Sequence, residues 1–113
     1  MKNLKVVKIT EDEIIFDNGL SLSSDHRQDC CESHYLWFKD LTLSEFEGME
    51  FDLSNDDFFE KIEGYGIALK PTNNFPVRIA GYGSNNGYYS TELKLVISFR
   101  KEYDITECQE IHG

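Results

Sequence analysis

Between two histidines the chain reads His26-Arg27-Gln28-Asp29-Cys30-Cys31-Glu32-Ser33-His34, which sets two thiols, two imidazoles and two carboxylates within nine residues. Side chains of these types ligate metals, move protons or attack electrophiles, so this segment poses the first question about function. For a metal the obstacle is spacing. Zinc-binding cysteines usually stand about two to four residues apart, because adjacent side chains leave the backbone in divergent directions. An extended chain would still put Cys30, Glu32 and His34 on one side, and His26 folding back would complete a zinc set. No other cofactor is expected.

Covalent catalysis would use Cys30 or Cys31 as nucleophile, with His26 or His34 stabilising the thiolate and Asp29 or Glu32 orienting the imidazole. Two features oppose it. Asp29 and Glu32 flank the thiols and raise a thiol pKa unless turned away, and no oxyanion hole is recognisable. A redox switch is a third option, but a bond between adjacent cysteines strains the peptide, and Cys108 is the easier partner for either sulfur. The reading with the fewest requirements is architectural. A buried cysteine plugs the end of a sheet while His26, Gln28 and Asp29 bond loop backbone that would otherwise be unpaired. An enzyme is therefore the less favoured outcome.

The elements that must position this segment are mostly strands. Leu4 to Ile9 is β-branched, and Glu13 to Asp17 with Leu20 to Ser24 form a hairpin about Asn18-Gly19. A two-residue type I′ loop there pairs Ile15 with Leu22 and places Ile14 and Phe16 on the opposite face. The cysteine segment leaves the end of that hairpin. Tyr35 to Phe38 follows, with Trp37 and Phe38 as core or interface candidates. A short helix then has Thr42 as N-cap, Glu45 closing a capping box, a Leu41–Phe46 staple, Leu43, Phe46 and Met49 packing inward, and Gly48 as its stop.

In the second half, Phe58 to Leu69 reads as a strand and Pro71 to Pro76 as a connection. Tyr88 to Arg100 alternates with period two and Val77 and Ile79 show the same alternation, so a three-residue loop at Asn85-Asn86-Gly87 would pair Ser84 with Tyr88, Ile79 with Leu93 and Val77 with Leu95, with Gly87 left-handed in a bulge. Two Gly-Tyr-Gly triplets, at 64–66 and 81–83, lie on neighbouring strands. If Leu69 pairs with Val77, Tyr65 faces Gly81 and Gly64 faces Tyr82. Rings lying over glycine then compete with a ligand groove floored by glycine. Tyr65, Tyr82, Tyr88 and Tyr89 are read as sheet packing. The tail from 101 to 113, with His112, is an edge strand over Asp104 to Ile111 or a frayed end.

The segment His26-x-Gln28-Asp29-Cys30-Cys31-Glu32, followed later by Ser84-Asn85-Asn86-Gly87-Tyr88-Tyr89-Ser90, resembles small bacterial and phage domains of unknown function that carry H-x-Q-D-C-C-E and then S-N-G-Y-Y-S. The resemblance runs from about Ile14 to Ile97. It implies a shared fold and a structural motif of Gln28, Asp29, Cys30, Cys31, Glu32, Asn86, Gly87, Tyr88 and Tyr89, and it carries no catalytic role to any residue. This chain has one extra asparagine in the second motif.

Charge narrows the partners. The net charge is −10, and eight carboxylates with no basic residue lie between Lys39 and Lys61. Such a run repels nucleic acid; the simplest reading is a solvated face, and a docking surface for a basic protein is the alternative. No apolar run approaches the ~20 residues needed to span a bilayer. An odd number of cysteines and the absence of a secretory start point to reduced thiols in the cytoplasm. These readings converge on one α+β domain over residues 1–113. Its antiparallel, twisted sheet has about five to seven strands and one short helix, and it serves as a small binding or accessory module. An uncovered sheet edge would permit a homodimer.

Overall fold

A computed structural model describes residues 3–25, 33–84, 92–98 and 101–112. The chain runs through β1 (Val6–Ile9), β2 (Glu13–Phe16), β3 (Ser21–Asp25), β4 (Ser33–Leu36), β5 (Phe59–Ile62), β6 (Gly66–Leu69), β7 (Val77–Ser84), β8 (Lys94–Ile97), β9 (Lys101–Asp104) and β10 (Glu110–His112). These strands make two five-stranded sheets, mostly antiparallel. One has the order β1-β2-β3-β8-β9. In the other, β5, β6 and the first half of β7 form a meander, and the second half of β7 bonds β4 antiparallel and β10 parallel. Ala80 C=O accepts from Trp37 N–H while the N–H of Gly81 goes to Tyr65. Successive residues of a strand bond in opposite directions, so β4 and β6 flank opposite edges of β7.

Alternation supplies the core. Ile14 and Phe16 of β2, Leu22 of β3, and Leu95 and Ile97 of β8 turn inward. They meet Leu36, Ile67, Leu69 and Ile79 of the second sheet, together with aromatic rings from residues 38–58, in one cluster. Leu36 N–H donates to Ser24 Oγ at 3.1 Å, stitching β4 to the end of β3 where the two sheets meet.

Several expectations are corrected. The expected helix is a 3-10 turn, Leu43–Phe46, and no α-helix occurs among the described residues. Only a few residues separate Leu41 from the left-handed Gly48 (φ +79°), so the segment closes i to i+3 bonds such as Glu45 N–H to Thr42 C=O and Met49 N–H to Phe46 C=O. Thr42 bonds the side chains of Ser44 and Glu45 instead of capping backbone, and Leu43 is 48% exposed instead of packed inward.

The first hairpin pairs Ile14, not Ile15, with Leu22. Phe16 N–H bonds Leu20 C=O across a three-residue loop in which Gly19 alone is left-handed, and this register brings Leu22 onto the buried face of Ile14 and Phe16. Phe58 to Leu69 is a hairpin rather than one strand, turning through Glu63-Gly64-Tyr65. Most consequentially, β7 and β8 do not pair. β8 joins β3 and β9 in the other sheet, because period-two alternation identifies a buried face without identifying the neighbour. The Leu69–Val77 register is as expected.

Candidate functional site

Of the segment that opened the sequence reading, His26, Arg27, Gln28, Asp29, Cys30, Cys31 and Glu32 lie outside the described residues, as do Asn86, Gly87, Tyr88 and Tyr89 of the second motif. Ser33 and His34 begin β4. His34 points inward, is 1% exposed, and stands opposite Gly83 of β7. Its Nδ1 lies 2.7 Å from Gln109 Oε1. Gln109 Nε2 donates to the Thr106 carbonyl at 2.9 Å, which fixes the amide so that its oxygen faces the ring. In the neutral imidazole Nδ1 therefore carries the hydrogen, and Nε2 is the acceptor. This bond ties β4 to the segment that leads into β10.

The glycines of the second triplet serve the same contact. A side chain at Gly83 would meet Gln109 Oε1 at 2.3 Å and His34 Nδ1 at 2.4 Å, and one at Gly81 would meet the Cys108 carbonyl at 2.4 Å. Tyr65 does stand opposite Gly81, yet the space over Gly81 is filled by Cys108 and Gln109, and that over Gly83 by Gln109 and the His34 imidazole, rather than by a tyrosine ring. Tyr82 pairs with Tyr35 of β4 and with Glu110 of β10, while Gly64 lies in the β5–β6 turn with its N–H bonded to the Glu107 carbonyl. Cys108 is a buried free thiol whose pKa is raised by burial and then by Glu107. Among the described residues no three His, Cys, Asp or Glu side chains are grouped to hold a metal ion.

The outer face of β4 forms a different kind of site. Tyr35 and Trp37 project outward while His34, Leu36 and Phe38 are buried. Tyr35, Trp37 and Tyr82 form a ring cluster with centroids 6.0 to 6.1 Å apart, Trp37 meeting Tyr82 edge-on at 89°. Trp37 Nε1 donates to Asp40 Oδ2 at 2.9 Å, and Lys39 Nζ lies 5.1 Å from the indole centroid. Beside these rings runs a groove of about 390 Å³ between β3 and β4, lined also by Glu11, Asp12 and Asp25. Glu11 and Asp12 sit at the tip of the β1–β2 turn, which the Thr10 hydroxyl braces by accepting from the N–H groups of Asp12 and Glu13 at 3.2 and 3.1 Å. Sequence reasoning marked Trp37 as a core or interface residue but missed Glu11, Asp12 and Tyr35, for which no local pattern gives a signal.

Further acidic side chains lie outside the groove. Asp40, Glu45, Glu47, Asp57 and Glu60 are exposed, and Asp56 binds Lys101 Nζ at 2.7 Å and Tyr103 OH at 2.8 Å. Those bonds, Lys101 first, hold the Asp56 carboxyl below the usual range, while burial and Asp56 push the Tyr103 hydroxyl up to about 12.

No helix among the described residues is long and apolar enough to cross a membrane. A family model described as a domain of unknown function, DUF7448, matches residues 1–95 of the chain. No curated protein and no solved structure matches it.

Proposed function

We infer that this chain, which belongs to the DUF7448 family of domains of unknown function, is a protein-binding module that docks a basic polypeptide in the cytoplasm. The observation carrying this reading is a set of exposed carboxylates, Asp40 beside the Trp37 ring and Glu45, Glu47, Asp57 and Glu60 elsewhere, on a chain of net charge −10. Complementary charge raises encounter rates and excludes polyanions, and exposed aromatic rings supply the desolvated contacts that charge alone does not. The burial of His34 and its 2.7 Å bond to the Gln109 amide support an architectural role for it in this reading.

Calorimetric titration with a blocked decalysine peptide tests the reading. Saturable binding should weaken about tenfold between low and high salt, and a decaglutamate peptide should give no heat. Absence of salt-dependent binding would overturn it.

A further inference from the structure

We propose that the groove between β3 and β4 is a receptor for a single arginine side chain of the basic partner, a claim that rests on the reading above. The geometry has three parts. The first is a preorganised aromatic wall: Tyr35 and Trp37 alternate outward on one strand, Tyr82 packs against both, and the Trp37–Asp40 hydrogen bond fixes the indole plane. Rings already held in place lose little freedom when a ligand arrives.

The second part is charge. Glu11 and Asp12 line the groove together with Asp25, and Lys39 is the one Lys or Arg among the described residues that line it. Glu11 and Asp12 are presented by the Thr10-braced turn. The third part is Lys39 itself, whose ammonium already rests over the Trp37 ring at 5.1 Å. The indole face thus takes a cation in the protein's own structure, and Lys39 marks the position that an incoming cation must share or take over.

Arginine fits this combination better than lysine. Its guanidinium is planar and stacks on tyrosine and tryptophan faces, and its fork of N–H donors serves carboxylates from the same plane, whereas an ammonium is a strongly hydrated point charge. A groove of about 390 Å³ is of the size that holds one such side chain with its neighbouring backbone.

Trp37 is the sole tryptophan of the chain, so its emission reports directly on the groove. The folded protein is titrated with blocked Gly-Gly-Arg-Gly-Gly and with the same peptide carrying lysine or citrulline, following Trp37 emission and heat together. The arginine peptide should change the emission saturably, the lysine peptide should bind about threefold more weakly or worse, and the uncharged isostere citrulline should not bind. Glu11→Gln with Asp12→Asn, and separately Tyr35→Ala, should each weaken arginine binding about fivefold or more, with thermal melting checking that each variant is folded. Lys39→Ala should strengthen it about twofold or more by freeing the indole face. Glu63→Gln, in the exposed β5–β6 turn and outside both the groove and the carboxylates named above, should leave it unchanged.

Equal binding of citrulline, or indifference to both the Glu11/Asp12 and the Tyr35 variants, would overturn the proposal. If the decalysine peptide still binds in a salt-dependent way, only the arginine receptor falls. If neither peptide binds, the basic-partner reading falls with it.

Discussion

Replacing Gly83 by alanine should unlock the C-terminal segment from the second sheet, and the size of the effect follows from the packing over that residue. The new Cβ would lie 2.3 Å from Gln109 Oε1, 2.4 Å from His34 Nδ1 and 2.9 Å from His34 Cε1, so the buried His34–Gln109 bond cannot survive in place. Leaving a buried donor and acceptor unpaired costs about 1–3 kcal/mol, and forcing a methyl into packed space costs about 1–3 kcal/mol more. Reduced freedom of the unfolded chain returns about 0.4–1 kcal/mol. The net expectation is about 2–4 kcal/mol of lost stability in urea unfolding.

A coupled background separates this cause from a generic effect of substitution. Gln109→Ala removes the nearest clashing atom and the bond itself, so Gly83→Ala in that background should cost at least about 1 kcal/mol less than in the unchanged protein. Gly19→Ala is the control for backbone strain alone, because nothing lies within 4 Å of a Cβ there although φ is +88°. Equal cost of Gly83→Ala in both backgrounds, or a cost below about 0.5 kcal/mol, would refute the reasoning.

The titrating groups make a two-sided pH prediction. Asp56 and Asp104 have carboxyls held low, by Lys101 and by Thr106 respectively, so their contribution is present above the ordinary aspartate pKa and is lost as pH falls through the lowered folded value. Thermal melting should decline below the ordinary aspartate range, and Asp56→Asn should flatten part of that decline. Tyr103 behaves oppositely: its raised pKa gives stability that is full below pH 10.0 and is lost as pH rises to about 12. The ultraviolet difference between the protein and Tyr103→Phe should place its ionisation near 12, and a midpoint near the ordinary tyrosine value would contradict the packing. Cys108, buried and with a raised pKa, should be labelled by a thiol reagent only at the rate of unfolding in a Cys30→Ser/Cys31→Ser background; rapid native labelling would refute its burial. Protein purified without a histidine tag should contain no stoichiometric zinc, and a bound zinc whose chelation lowers the melting temperature would replace the architectural account of Cys30 and Cys31.

Much of the strand inventory was legible because β-branched and alternating residues mark pleated, half-buried surface. Val6 to Ile9, both arms of the first hairpin and the Leu69–Val77 register follow from such patterns. The hairpin slipped by one residue because Asn18-Gly19 suits a two-residue loop equally well. Burial of Leu22 on the same face as Ile14 and Phe16, which only the assembled core rewards, decides for the three-residue loop. The separation of β7 from β8 was not legible at all, since alternation in Leu93, Leu95 and Ile97 is satisfied equally by pairing with β3. The glycine triplets did signal a close approach. What approaches Gly81 and Gly83 is Cys108 and Gln109, brought from beyond β9, and no local pattern names so distant a neighbour. The groove shows the same limit: Glu11, Asp12, Tyr35 and Trp37 are unremarkable one by one and become a site only where the β1–β2 turn meets β4.

Amide and indole chemical shifts recorded while the basic peptide is added test the central claim most directly. The account predicts that the largest changes fall on Glu11, Asp12, Asp25 and Tyr35 to Lys39, including the Trp37 Nε1–H, and that they saturate together. Shifts spread evenly over the acidic surface, with the Trp37 indole unmoved, would contradict it.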